Sequence, residues 1–157
     1  MSVATSTMTA GRAPAESPAA PRIRIDELFE PVVDDLQQAS PTFLRQFARI
    51  AETPLVSVSV RALPKGEESC CRARTTIRRY QSGAIIAWVE IPSPRTREEY
   101  AELLGHEFEH ILEQIDLVDL DVQADAGGGA TRLAEGTYET GRAQRAGLAV
   151  AREATGR

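Results

Sequence analysis

One stretch constrains this chain more than any other: Thr96-Arg97-Glu98-Glu99 and the apolar stripe that follows it. Thr96 and Glu99 stand in the capping-box spacing, in which each side chain accepts the other residue's otherwise orphaned backbone N–H. Behind them Tyr100, Leu104, Phe108, Ile111, Leu112 and Ile115 recur at helical spacing. The pattern predicts a strong helix from Arg97 to about Ile115, packed by one face. On a helical wheel the opposite face carries His106 and His110, the only two histidines in the chain.

The rest of the chain supplies elements for that helix to pack against. Ile23 to Gln38 reads as an extended entry and then a helix with Leu28, Phe29, Val32, Val33 and Leu36 on one side. Ser40-Pro41 is an N-cap with proline at the first helical position. It opens a second helix, to about Ala51, that should bury Phe43, Leu44, Phe47 and Ile50. Leu55 to Ala62 alternates apolar and polar as a half-buried strand does. Cys71 to Tyr80 alternates again, and Ala84 to Ile91 is the most apolar strand; the turn Gln81-Ser82-Gly83 joins the two as a hairpin. Asp116 to Ala130 is acidic and then glycine-rich, and reads as a mobile connection. A last helix is expected over Thr131 to Glu153. The fold class is α+β: a small antiparallel three-stranded sheet packed on the histidine-bearing helix and a C-terminal helix, with N-terminal helices beside them.

Residues 1–22 are rich in Ala, Ser, Thr and Pro and read as a disordered leader. Residues 23–157 then form a single domain, which the length of 157 residues suits. No apolar run approaches the roughly 20 residues a membrane-spanning helix needs, and no secretory signal is evident, so a cytoplasmic protein is expected. The net charge of -5 argues against a general nucleic-acid binder. Arg72, Arg74, Arg78 and Arg79 read as a solvated strand face rather than a nucleic-acid stripe. Cys70 and Cys71 are adjacent; they form neither a disulfide framework nor the paired spacing of a cysteine zinc site.

The chemistry lies in His106-Glu107-Phe108-Glu109-His110, an H-E-x-x-H motif. Residues i and i+4 share a helix face, so both imidazoles can reach one metal ion, and Glu107 projects close enough to hydrogen-bond a metal-bound water. A catalytic zinc needs three protein ligands and an open position. With no histidine left, the third must be a carboxylate. Glu113 lies about 10 Å along the axis from His106 and cannot converge with both histidines on a straight helix. Asp116 has the spacing of a longer motif but lacks its turn-forming glycine, which Glu113 replaces. Glu135 and Glu139 lie one turn apart on the expected last helix. Glu139 is preferred, because Gly141 and Ala143 behind it allow close helix approach; Glu135, and behind it Asp116, stay open as alternatives.

With those residues in place, the chain resembles the zincin metallopeptidases, and among them the gluzincins, in which a downstream helix supplies a glutamate. The resemblance runs from Ala84 to about Val150 and is carried by the H-E-x-x-H motif and, more weakly, by Tyr138-Glu139-Thr140. It implies Zn2+ as cofactor, with His106, His110 and Glu139 as ligands. It also implies Glu107 as general base toward a zinc-activated water, and a peptide or protein substrate bound alongside an edge strand, Ala84–Ile91. The family's second motif is missing, and many relatives stabilise the oxyanion with a further histidine that this chain lacks. Tyr138, next to Glu139, is the candidate for that role, with an arginine or the backbone as competitors. A metal-stabilised binding or regulatory domain without turnover is the alternative function, and proteolytic control of a bacterial repressor or toxin system a third possibility.

Overall fold

The computed structural model describes residues 22–67, 73–134 and 137–156. The expected leader, apart from Arg22, lies outside the described residues, as do Arg72, Cys70, Cys71 and Glu135.

Ile23–Ile25 forms a short strand, β1; helices α1 (Glu30–Ala39) and α2 (Pro41–Glu52) follow, then strand β2 (Val56–Ala62). Ser40 ends α1 and caps α2, accepting the Phe43 N–H at 3.0 Å. The cap is itself held from the far end of the chain. Glu153 accepts from the Ser40 hydroxyl at 2.5 Å, the Thr42 N–H at 2.9 Å and the Thr42 hydroxyl at 2.8 Å. Strand β3 (Arg74–Arg79) turns back through Gln81-Ser82-Gly83 into β4 (Ile85–Ile91). Gly83 takes φ +85°, a left-handed conformation that suits glycine. Helix α3 (Arg97–Ile115) opens with both halves of the Thr96/Glu99 capping box formed. Helix α4 (Leu120–Asp125), capped by Asp119, leads to strands β5 (Ala130–Ala134) and β6 (Thr137–Thr140) and the last helix, α5 (Gly141–Thr155).

The main sheet has the order β1-β2-β4-β3. β1 with β2 and β2 with β4 pair in parallel, while β3 pairs antiparallel with β4. The β3–β4 hairpin is as expected, but the sheet is four-stranded and mixed, not three-stranded and antiparallel. The reason is the crossover: α1 and α2 carry the chain from β1 back to start β2 in the same direction, as parallel pairing requires. One sheet face lies in the core, where Val56, Val58, Val60, Ile85, Ala87 and Val89 meet Phe29, Leu36, Phe43 and Phe108. Phe43 and Phe108 stack tilted, with ring centroids 5.1 Å apart. Leu28 and Leu44, expected inside, are about half exposed, at 54% and 47%. No helix among the described residues is long and apolar enough to cross a membrane.

Two further expectations are corrected. Asp116–Ala130 contains the capped helix α4 instead of only a connection. The last helix starts at Gly141, not Thr131: the residues before it pair as an antiparallel β5–β6 hairpin. Thr131, Thr137, Tyr138 and Thr140 favour strands, and Thr140 is the N-cap, accepting the Ala143 N–H at 3.0 Å.

Helix α3 is also less one-sided than its stripe suggests. Leu103, Gly105, Glu107, Glu109 and Glu113 are buried along with the apolar positions, because α5 covers a second face. The two helices meet at glycines. A Cβ on Gly105 would fall 2.6 Å from Val150 Cγ2, and one on Gly147 would fall 2.6 Å from the Glu102 carbonyl oxygen. Gly147→Ala should therefore force the helices apart and destabilise by about 1–3 kcal/mol, or roughly 2–4 °C of melting temperature per kcal/mol. An unchanged thermal midpoint would contradict this contact.

Glu153 makes the second stability prediction. Burial raises its carboxyl pKa, but the hydrogen bonds from Ser40 and Thr42 outweigh that and hold it below the ordinary value. A lowered folded-state pKa contributes stability that is present above the unfolded value of about 4.3 and lost as pH falls through the folded one. Glu153→Ala should cost about 1–2 kcal/mol at neutral pH. Its melting deficit against wild type should shrink in acid below that window, and thermal melts at pH 7 and pH 3 check both parts.

Candidate metal centre

His106 and His110 sit one turn apart in the middle of α3, with side chains 18% and 15% exposed. Their Nε2 atoms approach to 3.1 Å. Glu139 reaches the same point from β6, its Oε1 3.3 Å from His106 Nε2. One ligand atom from each of the three lies within 4.8 Å of the others. The expected trio is thus brought together, but Glu139 comes from a strand and not from a helix. In β6 it directly precedes Thr140, the α5 cap, so its place along α3 is set by where α5 begins.

The donor chemistry fits a divalent cation. His110 Nδ1 stands 2.9 Å from Glu113 Oε2. A carboxylate only accepts, so Nδ1 is the nitrogen that carries a proton toward Glu113, and in the neutral ring Nε2 is the nitrogen left with a lone pair for a metal ion. Burial opposes charge on His110, yet Glu113 and the neighbouring carboxylates raise its pKa overall. Two imidazole nitrogens and a carboxylate oxygen converging on one point form a donor set that can hold a divalent transition metal ion.

Asp116 is placed elsewhere. Its carboxylate is taken by Arg49, and by Arg142 at 2.8 Å. Burial pushes its pKa up, but those two arginines bring it below the ordinary range.

Glu107 is 5% exposed and stands beside the histidines. Its Oε2 accepts the Thr75 hydroxyl of β3 at 2.7 Å. Burial pushes its carboxyl pKa up, with Thr75 and the two histidines only partly opposing. The group is therefore a better proton acceptor than a surface glutamate.

These side chains line an open cleft of about 710 Å³. Ala73 to Ile77 form one wall, Val118 to Asp121 and the β5–β6 hairpin the other. The strand at the cleft is β3, not Ala84–Ile91 as expected. β4 is hydrogen-bonded on both sides, between β2 and β3, and has no free edge. Tyr138 lines the cleft, but its hydroxyl donates to Asp121, and its ring lies 5.8 Å from the Arg132 guanidinium.

Sequence reasoning missed Glu113 and Thr140. Glu113 is 1% exposed and bonds His110 and Thr140 at once. Glu113 stands three residues after His110, where helical spacing already brings two side chains together. That signal could have marked it as a partner of the histidine once it failed as a ligand.

Purified without chelator, the protein should hold about one zinc per chain. Glu139→Ala should lose most of it while keeping its circular dichroism spectrum. Elemental analysis of both proteins is the check, and full metal retention in Glu139→Ala would remove Glu139 from the ligand set.

The chain matches no family model, no curated protein and no solved structure.

Proposed function

We propose that this chain is a small zinc-dependent peptidase of zincin-like fold, with His106, His110 and Glu139 holding the metal and Glu107 acting as general base. One observation carries the proposal: a buried, hydrogen-bonded carboxyl group beside a three-donor cluster on the floor of an open cleft. Thr75 accounts for only one oxygen of Glu107, and the group lines the cleft beside the histidines, a placement that suits a proton acceptor beside a metal-bound water.

Zinc bound there supplies Lewis acidity toward water and toward the scissile carbonyl. The remaining steps belong to the chain. Thr75 occupies Glu107 Oε2 and leaves Oε1 as the oxygen that accepts the proton of the attacking water. Glu107 then delivers that proton to the departing amine, so one carboxyl group serves both bond making and bond breaking. Burial raises the pKa of this carboxyl group, which makes Glu107 a stronger acceptor for the water's proton. Among the described residues β3 is the edge strand along the cleft, where an extended peptide can add as a further strand and place its backbone over the histidines. Tyr138 remains at the cleft wall as the candidate donor to the developing oxyanion. Serving there requires its hydroxyl to leave Asp121.

Glu107→Gln keeps the shape but cannot take up the proton. It should retain zinc at wild-type stoichiometry and lose turnover of a quenched-fluorescence peptide library by about 10²–10⁴-fold. Wild-type turnover in Glu107→Gln would end the proposed mechanism. Tight zinc with no cleavage by the wild type would favour a metal-stabilised binding domain.

A further inference from the structure

We infer that Glu113 is the positioning residue that joins the two halves of the metal centre, setting the tautomer of His110 and the position of Glu139 through one buried carboxylate. The inference rests on the metal-centre reading above and adds a residue to it.

The geometry is a fork. Glu113 Oε2 meets His110 Nδ1 at 2.9 Å, and Oε1 accepts the Thr140 hydroxyl at 2.5 Å. Thr140 is committed on every polar side that bears on the site. Its hydroxyl oxygen accepts the Ala143 N–H at 3.0 Å, and its own N–H donates to Glu139 Oε1 at 2.9 Å. A single chain of hydrogen bonds therefore runs from His110 through Glu113 and Thr140 to Glu139. It spans the helix that bears the histidines, the strand that bears the glutamate and the start of α5.

A packing role does not account for Glu113. It is among the fully buried side chains, where an apolar residue of similar size would fill the space without desolvating a charge. It also sits in the last turn of α3, where the helix dipole disfavours a negative group. What offsets both is that each oxygen has a partner leading to a ligand. A carboxylate on the far nitrogen of a metal-binding histidine fixes the ring and makes the other nitrogen a better donor. Here the same carboxylate also holds the strand that supplies the third donor, so loss of Glu113 should disturb two ligands at once.

The test is zinc affinity, measured by competition with a chromophoric chelator, together with the visible spectrum of the cobalt-substituted protein and the melting temperature of the metal-free form. The full-length wild type is compared with Glu113→Gln, Glu113→Ala, Thr140→Val and Thr140→Ser. Glu113→Gln keeps the volume and one acceptor oxygen but not the charge. It should weaken zinc binding by about 10–100-fold and alter the cobalt spectrum, with the metal-free melting temperature close to wild type. Glu113→Ala should weaken binding at least as much. Thr140→Val should weaken it less, and Thr140→Ser, which keeps the hydroxyl, should restore it. Wild-type affinity and spectrum in Glu113→Gln would overturn the positioning role and leave the metal centre standing. Failure of both Glu113 variants to fold would assign Glu113 to structure and overturn the role as well. A wild type that takes up no zinc would overturn the metal centre and this inference together.

Discussion

Three buried glutamates on one helix are the constraint that the rest of the structure answers. Glu107, Glu109 and Glu113 all lie on the inner surfaces of α3, and a buried carboxylate without partners is strongly unfavourable. Each draws in a different element. Glu107 takes the Thr75 hydroxyl from β3. Glu109 takes Gln46 of α2 at 2.7 Å and Arg142 of α5 at 2.6 Å. Glu113 takes His110 and, through Thr140, the junction of β6 with α5. Apolar burial gathers these elements around α3, but the carboxylates decide how they are seated. The glycine contact between α3 and α5 has the same effect, since only bare backbone lets α5 come close enough for Thr140 and Arg142 to reach α3.

Much of this was legible in the residues. The capping box at Thr96 and Glu99, the Ser40-Pro41 helix start, the alternation of β2 and β4 and the β3–β4 hairpin all follow from local patterns, and local patterns are what a sequence displays directly. The pairing of His106 and His110 was legible for a related reason, since helical spacing fixes it; the preference for Glu139 beside them was argued from a helix, whereas the residue arrives from strand β6. Parallel pairing was not legible, because nothing in Ile23–Ile25 marks a three-residue strand until β2 lies beside it. The β5–β6 hairpin was hidden by composition. Arg132, Leu133 and Ala134 suit a helix, and the spacing of Glu135 and Glu139 matches one turn. The strand preference of the threonines and the cap at Thr140 prevail instead. Glu113 was set aside as a ligand on correct geometry; its spacing from His110 was there to be read, but its second partner, Thr140, is brought across from another element and leaves no local signal.

The hairpin changes how the site is built. A glutamate on a packed helix would be placed by helix–helix contact alone. On β6 it is placed by strand pairing with β5, by the Thr140 cap and by Glu113, three constraints of different kinds acting within two residues of the donor atom. The same hairpin, with α4, forms the cleft wall facing β3, so the element that brings Glu139 to the two histidines also shapes the groove above them. Among the described residues β3 is the outermost strand on that side of the sheet, and its Thr75 hydroxyl seats the Glu107 carboxyl group.

The central claim is that two imidazoles from α3 and one carboxylate from β6 hold a single metal ion. X-ray absorption at the zinc edge, on the loaded wild-type protein in solution, tests it most directly. The account predicts a four-coordinate shell of nitrogen and oxygen, with the multiple-scattering signature of two imidazoles and no sulfur. A sulfur contribution, or a shell of oxygen atoms without imidazole, would contradict it.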